Sequence, residues 1–194
     1  MNLTRIYTRT GDDGTTALGD MSRTSKTSTR LTAYADVDEA NAALGLALAH
    51  GELPDDLARF LGAVQNDLFD VGADLCTPVV ADPEFPPLRV EDGDVERLER
   101  ACDRWNADLD KLRSFVMPTG TTTAAALHLA RTTTRRAERS VWALLAEEPD
   151  ATNPVPARYL NRLSDLLFIA ARVANAHAGP GDVTWVPAAN RHDD

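Results

Sequence analysis

Ala130-Arg131-Thr132-Thr133-Thr134-Arg135-Arg136-Ala137-Glu138-Arg139 sits within a run, Ala124 to Leu145, that contains neither Gly nor Pro. Such a run reads as a helix. At about 100° per residue, Leu129, Thr133, Ala137, Val141 and Leu144 collect on one side, and His128, Arg131, Arg135 and Glu138 on the other, flanked by Arg136 and Arg139. Guanidiniums crowded in this way repel one another by a few tenths of a kcal/mol (roughly) per exposed pair. Two readings are open. A solvated face would normally alternate in sign, whereas only Glu138 interrupts these arginines. An anion-binding face would use the fixed fork of donors with which Arg grips phosphate oxygens and carboxylates. The helix is also rich in Ala and Leu, which sets it among other helices, so a polyphosphate or a buried carboxylate is the natural partner.

Working outward, four more helical segments surround this one. From about Leu31 to Ala49, Tyr34, Val37, Ala40, Leu44 and Leu48 form an apolar stripe beside a small, polar strip of Asp38, Asn41 and Gly45. That strip suits a solvated edge, or the close approach of a helix or ligand. If it is buried, Asp38 requires a cation, and Arg131 is the obvious one. Pro54 opens a helix to about Leu75, Glu91 to Leu109 forms an amphipathic one, and the last covers about Ala157 to Ala178, with Asn161, Asp165 and Phe168 aligned. The intervening Thr77 to Leu88 and Glu147 to Pro156 are Pro-containing connections. With hardly any strand signal and no internal repeat, the fold class is all-α: a five-helix bundle of ferritin-like up-down arrangement with an irregular N-terminal loop. The 194 residues suit one domain, 1–194, divided into an N-terminal segment 1–30, the bundle 31–178 and a tail 179–194 expected to be irregular and mobile. Di-metal carboxylate bundles need Glu-x-x-His pairs, and none of His50, His128, His177 or His192 has Glu three residues before it.

The formal charge of −10 argues against a nucleic-acid groove or an anionic membrane as the main partner, because both need a broad positive field. The arginine cluster is local and so suits a small anion. No apolar leader or membrane-length run is present, and a cytoplasmic protein is expected. Cys76 and Cys102 have no metal or CxxC spacing and read as inert thiols.

After Ile6 and Tyr7, expected to be a short extended piece, Thr8-Arg9-Thr10-Gly11-Asp12-Asp13-Gly14-Thr15-Thr16 reads as a loop. Its glycines and threonines could form a phosphate nest, though it lacks the spacing of a P-loop and GDDG could equally be a hairpin turn. Arg23 and Lys26 add positive charge just beyond. Phe115, in the break before the arginine helix, is either core or the wall of a pocket, and its local pattern favours core.

Taken together, Tyr-Thr-Arg-Thr-Gly-Asp-Asp-Gly at 7–14, Arg23 with Lys26, Ala-Tyr-Ala-Asp-Val-Asp-Glu-Ala-Asn at 33–41, the arginine stretch at 130–139 and Tyr-Leu-Asn-Arg-Leu-Ser-Asp at 159–165 make the chain resemble the PduO-type ATP:cob(I)alamin adenosyltransferases over nearly its whole length. The resemblance implies a trimer with an active site at each subunit interface, using ATP and Mg²⁺ and giving adenosylcobalamin and triphosphate. By position, Thr8, Arg9, Thr10, Gly11, Thr16, Ala17 and Lys26 would bind the ATP phosphates. Arg135, Arg136, Ala137, Glu138, Arg139 and Asn161 would hold the rest of the nucleotide. Asp38 would pair with Arg131 across the interface, and Phe115 would displace the lower ligand of cobalamin, against the core reading above. The implied reaction is attack by Co(I) on the 5′-carbon of ATP, which asks no nucleophile of the protein. A reductase and an adenosylcobalamin-dependent enzyme are the implied partners. Two departures stand out: Pro118-Thr119-Gly120 where the family usually has Pro-Gly-Gly, and Ala33-Tyr34-Ala35 where it has Ala-Tyr-Gly. Competing classes are a non-catalytic nucleotide sensor and a structural bundle whose arginines pair only with acids.

Overall fold

The computed structural model describes residues 7–83 and 85–191; Ile6 and His192 lie outside the described residues. Five helices carry the fold: α1 (Thr29–Ala49), α2 (Asp55–Cys76), α3 (Asp92–Asn106), α4 (Thr122–Glu147) and α5 (Val155–Ala178). Their starts follow from the sequence. The Ser28 hydroxyl accepts the Leu31 N–H at 3.2 Å and the Thr121 hydroxyl accepts the Ala124 N–H at 3.1 Å, while Glu91 and Asp94 form a reciprocal capping box on α3. α4 packs against α1 on one side and α5 on the other; α2 leans on α1 and α3 on α5. Leu44, Leu57, Leu61, Val64, Leu127, Val141, Leu144, Leu160, Leu163 and Leu167 are fully buried between them, each contributing about 1.5–3 kcal/mol by leaving water. Among the described residues no helix is long and apolar enough to cross a membrane.

Three expectations are corrected. The buried seam of α4 is Leu127, Ala130, Thr134, Ala137, Val141 and Leu144, at alternating spacings of three and four. Leu129 is exposed, and His128, expected on the polar side, is 2 % exposed. Because α4 is flanked by two helices its buried arc is wide. Thr134 passes for core by donating its hydroxyl to the Ala130 carbonyl at 2.8 Å.

The N-terminal loop contains two short strands, β1 (Thr15–Ala17) and β2 (Arg23–Ser25), paired antiparallel with Thr16 opposite Thr24. The chain reverses between them at 18–22, so GDDG is a separate turn that precedes the hairpin. Finally, the tail is anchored. Met117 N donates to Val183 O at 2.8 Å and Trp185 N to Phe115 O at 2.7 Å, zipping 183–185 onto the segment before α4.

Candidate functional site

On α4, Arg131, Arg135 and Arg139 succeed one another every four residues and so form a ridge about 12 Å long. Arg131 and Arg135 line a cavity of about 340 Å³ between α4 and α5, with Asp165, Phe168 and Arg172 on its other side. Arg131 is half-buried and its Nε has no hydrogen-bond partner. Burial first, and the Arg135 charge second, hold its pKa below the usual guanidinium range. Arg139 donates to the Arg135 carbonyl at 3.1 Å. At this end of the ridge Asn161 of α5 donates to the Glu138 carboxylate at 3.1 Å.

Two residues of the expected nucleotide set are occupied otherwise. Arg136 turns to α1, where it forms ion pairs with Glu39 and, at 3.7 Å, with Asp36. Asp36 also accepts the Ser140 hydroxyl at 2.5 Å, so Arg136 braces α4 on α1. The Ala137 side chain is fully buried in the core.

The N-terminal turn is built around left-handed backbone at Arg9 (φ 64°) and Gly14 (φ 81°). Gly11 is closely approached. A Cβ there would lie 3.0 Å from the Lys26 ammonium, which sits over the turn while its backbone N–H donates to Gly14 O at 2.9 Å. Thr8 and Thr10 share a 2.9 Å hydroxyl hydrogen bond. Arg23 donates to the Thr10 carbonyl at 2.7 Å and to the Thr15 hydroxyl, with Asp13 at 3.7 Å. Thr15, donating to Asp13 through its hydroxyl and its backbone N–H, holds that carboxyl below its usual pKa. Thr16 and Ala17 lie in β1, opposite Thr24 and Arg23. The hairpin is moored to the end of α2 by Gly19 N donating to Cys76 O at 3.0 Å.

Asp38 and Arg131 do not meet within the chain. Asp38 is exposed and lines a different cavity, about 480 Å³, between α1 and α2, with Tyr34, Asn41, Leu68, Phe69 and Cys76. The rest of the small polar strip is taken by α2. Asn41 donates to Gln65 O at 3.0 Å and accepts from Gln65 Nε2 at 3.1 Å, and a Cβ on Gly45 would lie 2.9 Å from that same Nε2. Burial raises the pKa of both thiols, that of Cys102 to about 11.

Phe115 is 77 % exposed, which overturns its core reading. Its ring meets Trp185 edge-on at 6.1 Å, and Met117, Val183 and Val186 leave further apolar surface open beside it. Sequence reasoning missed the tail's part in this corner. It also missed Arg172, a 4 % exposed guanidinium that binds Asp182 at 2.9 Å and the Asp110 carbonyl at 2.6 Å. The only signal available was an Arg amid the apolar residues of α5. The Thr119 departure falls on an exposed side chain. The glycine this turn needs is Gly120, with φ 120° and Asn175 2.0 Å from any Cβ. Ala35 is likewise exposed, at the α1–α2 cavity.

By fold and site chemistry, the molecule falls among all-α bundles with an arginine-lined cavity between two of their helices. The chain belongs to the cobalamin adenosyltransferase family, whose pattern matches residues 6–174. It is 57 % identical over 191 residues to the corrinoid adenosyltransferase of Mycobacterium tuberculosis, covering 98 % of this chain and 97 % of the relative. With that of Bacillus subtilis it shares 42 % over 186 residues, 93 % of this chain and 92 % of the other. Among solved structures, it resembles a PduO-type ATP:corrinoid adenosyltransferase from Lactobacillus reuteri, a variant with alanine in place of a phenylalanine, complexed with cobalamin and ATP. The TM-score is 0.85 at 36 % identity, covering 93 % of this chain and 99 % of that one.

Proposed function

We propose that the arginine ridge and the α1–α2 face are two halves of one site, brought together between copies of the chain, with Arg131 of one copy facing Asp38 of the next. The chain is an ATP:cob(I)alamin adenosyltransferase: Co(I) attacks the 5′-carbon of ATP, the C5′–O bond breaks, and triphosphate leaves with the electron pair. The observation that carries the composite site is Arg131, a half-buried guanidinium with an unpaired Nε and a second arginine one turn away. Such a group calls for an anion from outside the chain. Asp38, exposed and in a separate cavity, would supply one, through a heterologous contact that generates a ring where its rotation closes. A homotrimer is the ring implied by the resemblance.

Cobalt brings the nucleophile, so the protein's work is positioning and charge stabilisation. Arg135, Arg139 and Lys26, with the N–H groups and hydroxyls of Thr8, Arg9, Thr10, Gly11, Thr16 and Ala17, would bind and neutralise the triphosphate. Asn161 and Glu138, already joined, would take the rest of the nucleotide. Arg136 and Ala137 serve this site through the backbone and the packing of α4. Mg²⁺ would arrive on the phosphates. Such a cation is ordinarily held through substrate phosphates and water rather than by an all-protein cage. Exposed Phe115 would occupy the lower face of the corrin, keeping the axial ligand off cobalt and raising the Co(II) reduction potential. ATP is an intracellular substrate, which supports a cytoplasmic setting, with a reductase upstream and an adenosylcobalamin-dependent enzyme downstream.

The test is an anaerobic assay with chemically reduced cobalamin, ATP and Mg²⁺, following loss of Co(I) absorbance. Turnover that is lost in Arg135→Ala supports the reading; no turnover by the unmodified protein sinks it.

A further inference from the structure

Phe115 is open to solvent on most of its surface, so beyond the edge-on contact with Trp185 side-chain packing does little to aim it. Two backbone segments hold it instead: the one that leads into it from α3, and the tail, whose Trp185 N–H donates to the Phe115 carbonyl. Both converge on one buried side chain. Arg172 of α5 donates through Nη2 to the Asp110 carbonyl, five residues before Phe115, at 2.6 Å. Through Nε it donates to the Asp182 carboxylate at 2.9 Å, one residue before the tail pairs with Met117. Its remaining surface lines the cavity shared with Arg131 and Arg135.

We propose that the Arg172–Asp182 pair is the positioning element for Phe115, bracketing the segments on either side of it and fixing the ring at the height the corrin face requires. This rests on the wedge reading of Phe115. The pair is protected from water, Arg172 and Asp182 having side chains 4 % and 19 % exposed, so it is less screened than a surface bridge. The second carboxylate oxygen of Asp182 is buried without a hydrogen-bond partner, and so are both ring nitrogens of His128, which is electrostatically coupled to Asp182. His128 also touches Phe168 edge-on at 6.1 Å. Asp182 is thus tied to a fixed cation, Arg172, and its charge is felt by the buried His128 imidazole.

The experiment compares the unmodified protein, Asp182→Asn, Asp182→Glu and Phe115→Ala, each with ATP and Co(II) cobalamin, by magnetic circular dichroism or electron paramagnetic resonance. Asp182→Asn is expected to cut the four-coordinate Co(II) fraction by about tenfold, as for replacing one charge-assisted hydrogen bond with a neutral acceptor. Asp182→Glu should recover part of it, and ATP affinity by calorimetry should hold. Turnover from Co(II) plus reductant should fall more than turnover from pre-formed Co(I), which has no lower ligand to displace. An undiminished four-coordinate signal in Asp182→Asn, or equal losses in signal, ATP affinity and both turnover modes, overturns the positioning role. If Phe115→Ala itself keeps the four-coordinate signal, it is the wedge reading that fails.

Discussion

Asp38 and Arg131 line cavities on different helix pairs and do not touch within the chain, yet the composite site requires them to act as one unit. A double-mutant cycle with Asp38→Asn and Arg131→Met measures this directly. Two unit charges about 4 Å apart at an effective dielectric of about 20 attract by about 4 kcal/mol. Desolvating an exposed aspartate and a half-buried arginine removes part of that, leaving a coupling of about 2 kcal/mol, or a factor of about 30 in kcat/KM. Each single variant should then lower kcat/KM, while the double variant falls well short of the product of the two losses. The assay is the anaerobic Co(I) reaction at fixed protomer concentration, with sedimentation velocity to confirm that all four proteins share one oligomeric state. Methionine at 131 retains the apolar stem, so packing is largely preserved. Losses that simply multiply, within about 0.5 kcal/mol, would refute the shared site.

Arg135→Ala should weaken ATP binding about 10- to 100-fold in calorimetry without corrinoid, the range for a charge-assisted hydrogen bond to phosphate; unchanged affinity would remove Arg135 from the nucleotide site. Burial first, then Arg131, lower the pKa of His128 from 6.5. The unfolded chain thus binds the proton more readily, so the stability contribution is complete above pH 6.5 and is lost as pH falls toward the depressed folded value. Denaturant midpoints measured downward from neutrality should show this fall, and His128→Phe should lose it; matching profiles would contradict the assignment. Tyr159 is fully buried and donates to Asp67 at 2.8 Å, while Asp67 also pairs with Arg97. Tyr159→Phe should cost about 1–2 kcal/mol and lower the melting temperature by about 2–8 °C, with turnover per folded protein retained; a lost turnover would show that this network reaches the site.

The helices were legible because Gly or Pro follows closely on the ends of α1, α2, α4 and α5 and because Ser28 and Thr121 are capping residues that bond as such. The face of α4 was less so. A helix between two neighbours buries a wide arc, and a self-bonded Thr134 cannot be told from a solvated one by its letter. β1 and β2 were lost among turn-forming residues because three-residue strands are too short for period-two patterning. The Phe115 corner depends on hydrogen bonds between positions nearly seventy residues apart, for which no local signal exists. Motif order located the arginines, the glycine turn and Asp38, but only coordinates reveal that Arg136 is held by α1 and that Asp38 stands on another face from Arg131.

Splitting acidic and cationic halves between separate helix pairs has a genetic consequence. Damage to one half leaves the other half of the same polypeptide whole. In cells making both a chain defective at Asp38 and a chain defective at Arg131, the proposed composite site predicts that every contact presenting the sound aspartate of the second to the sound arginine of the first would be restored. Two individually inactive alleles would rescue one another, whereas two lesions within the same half would not.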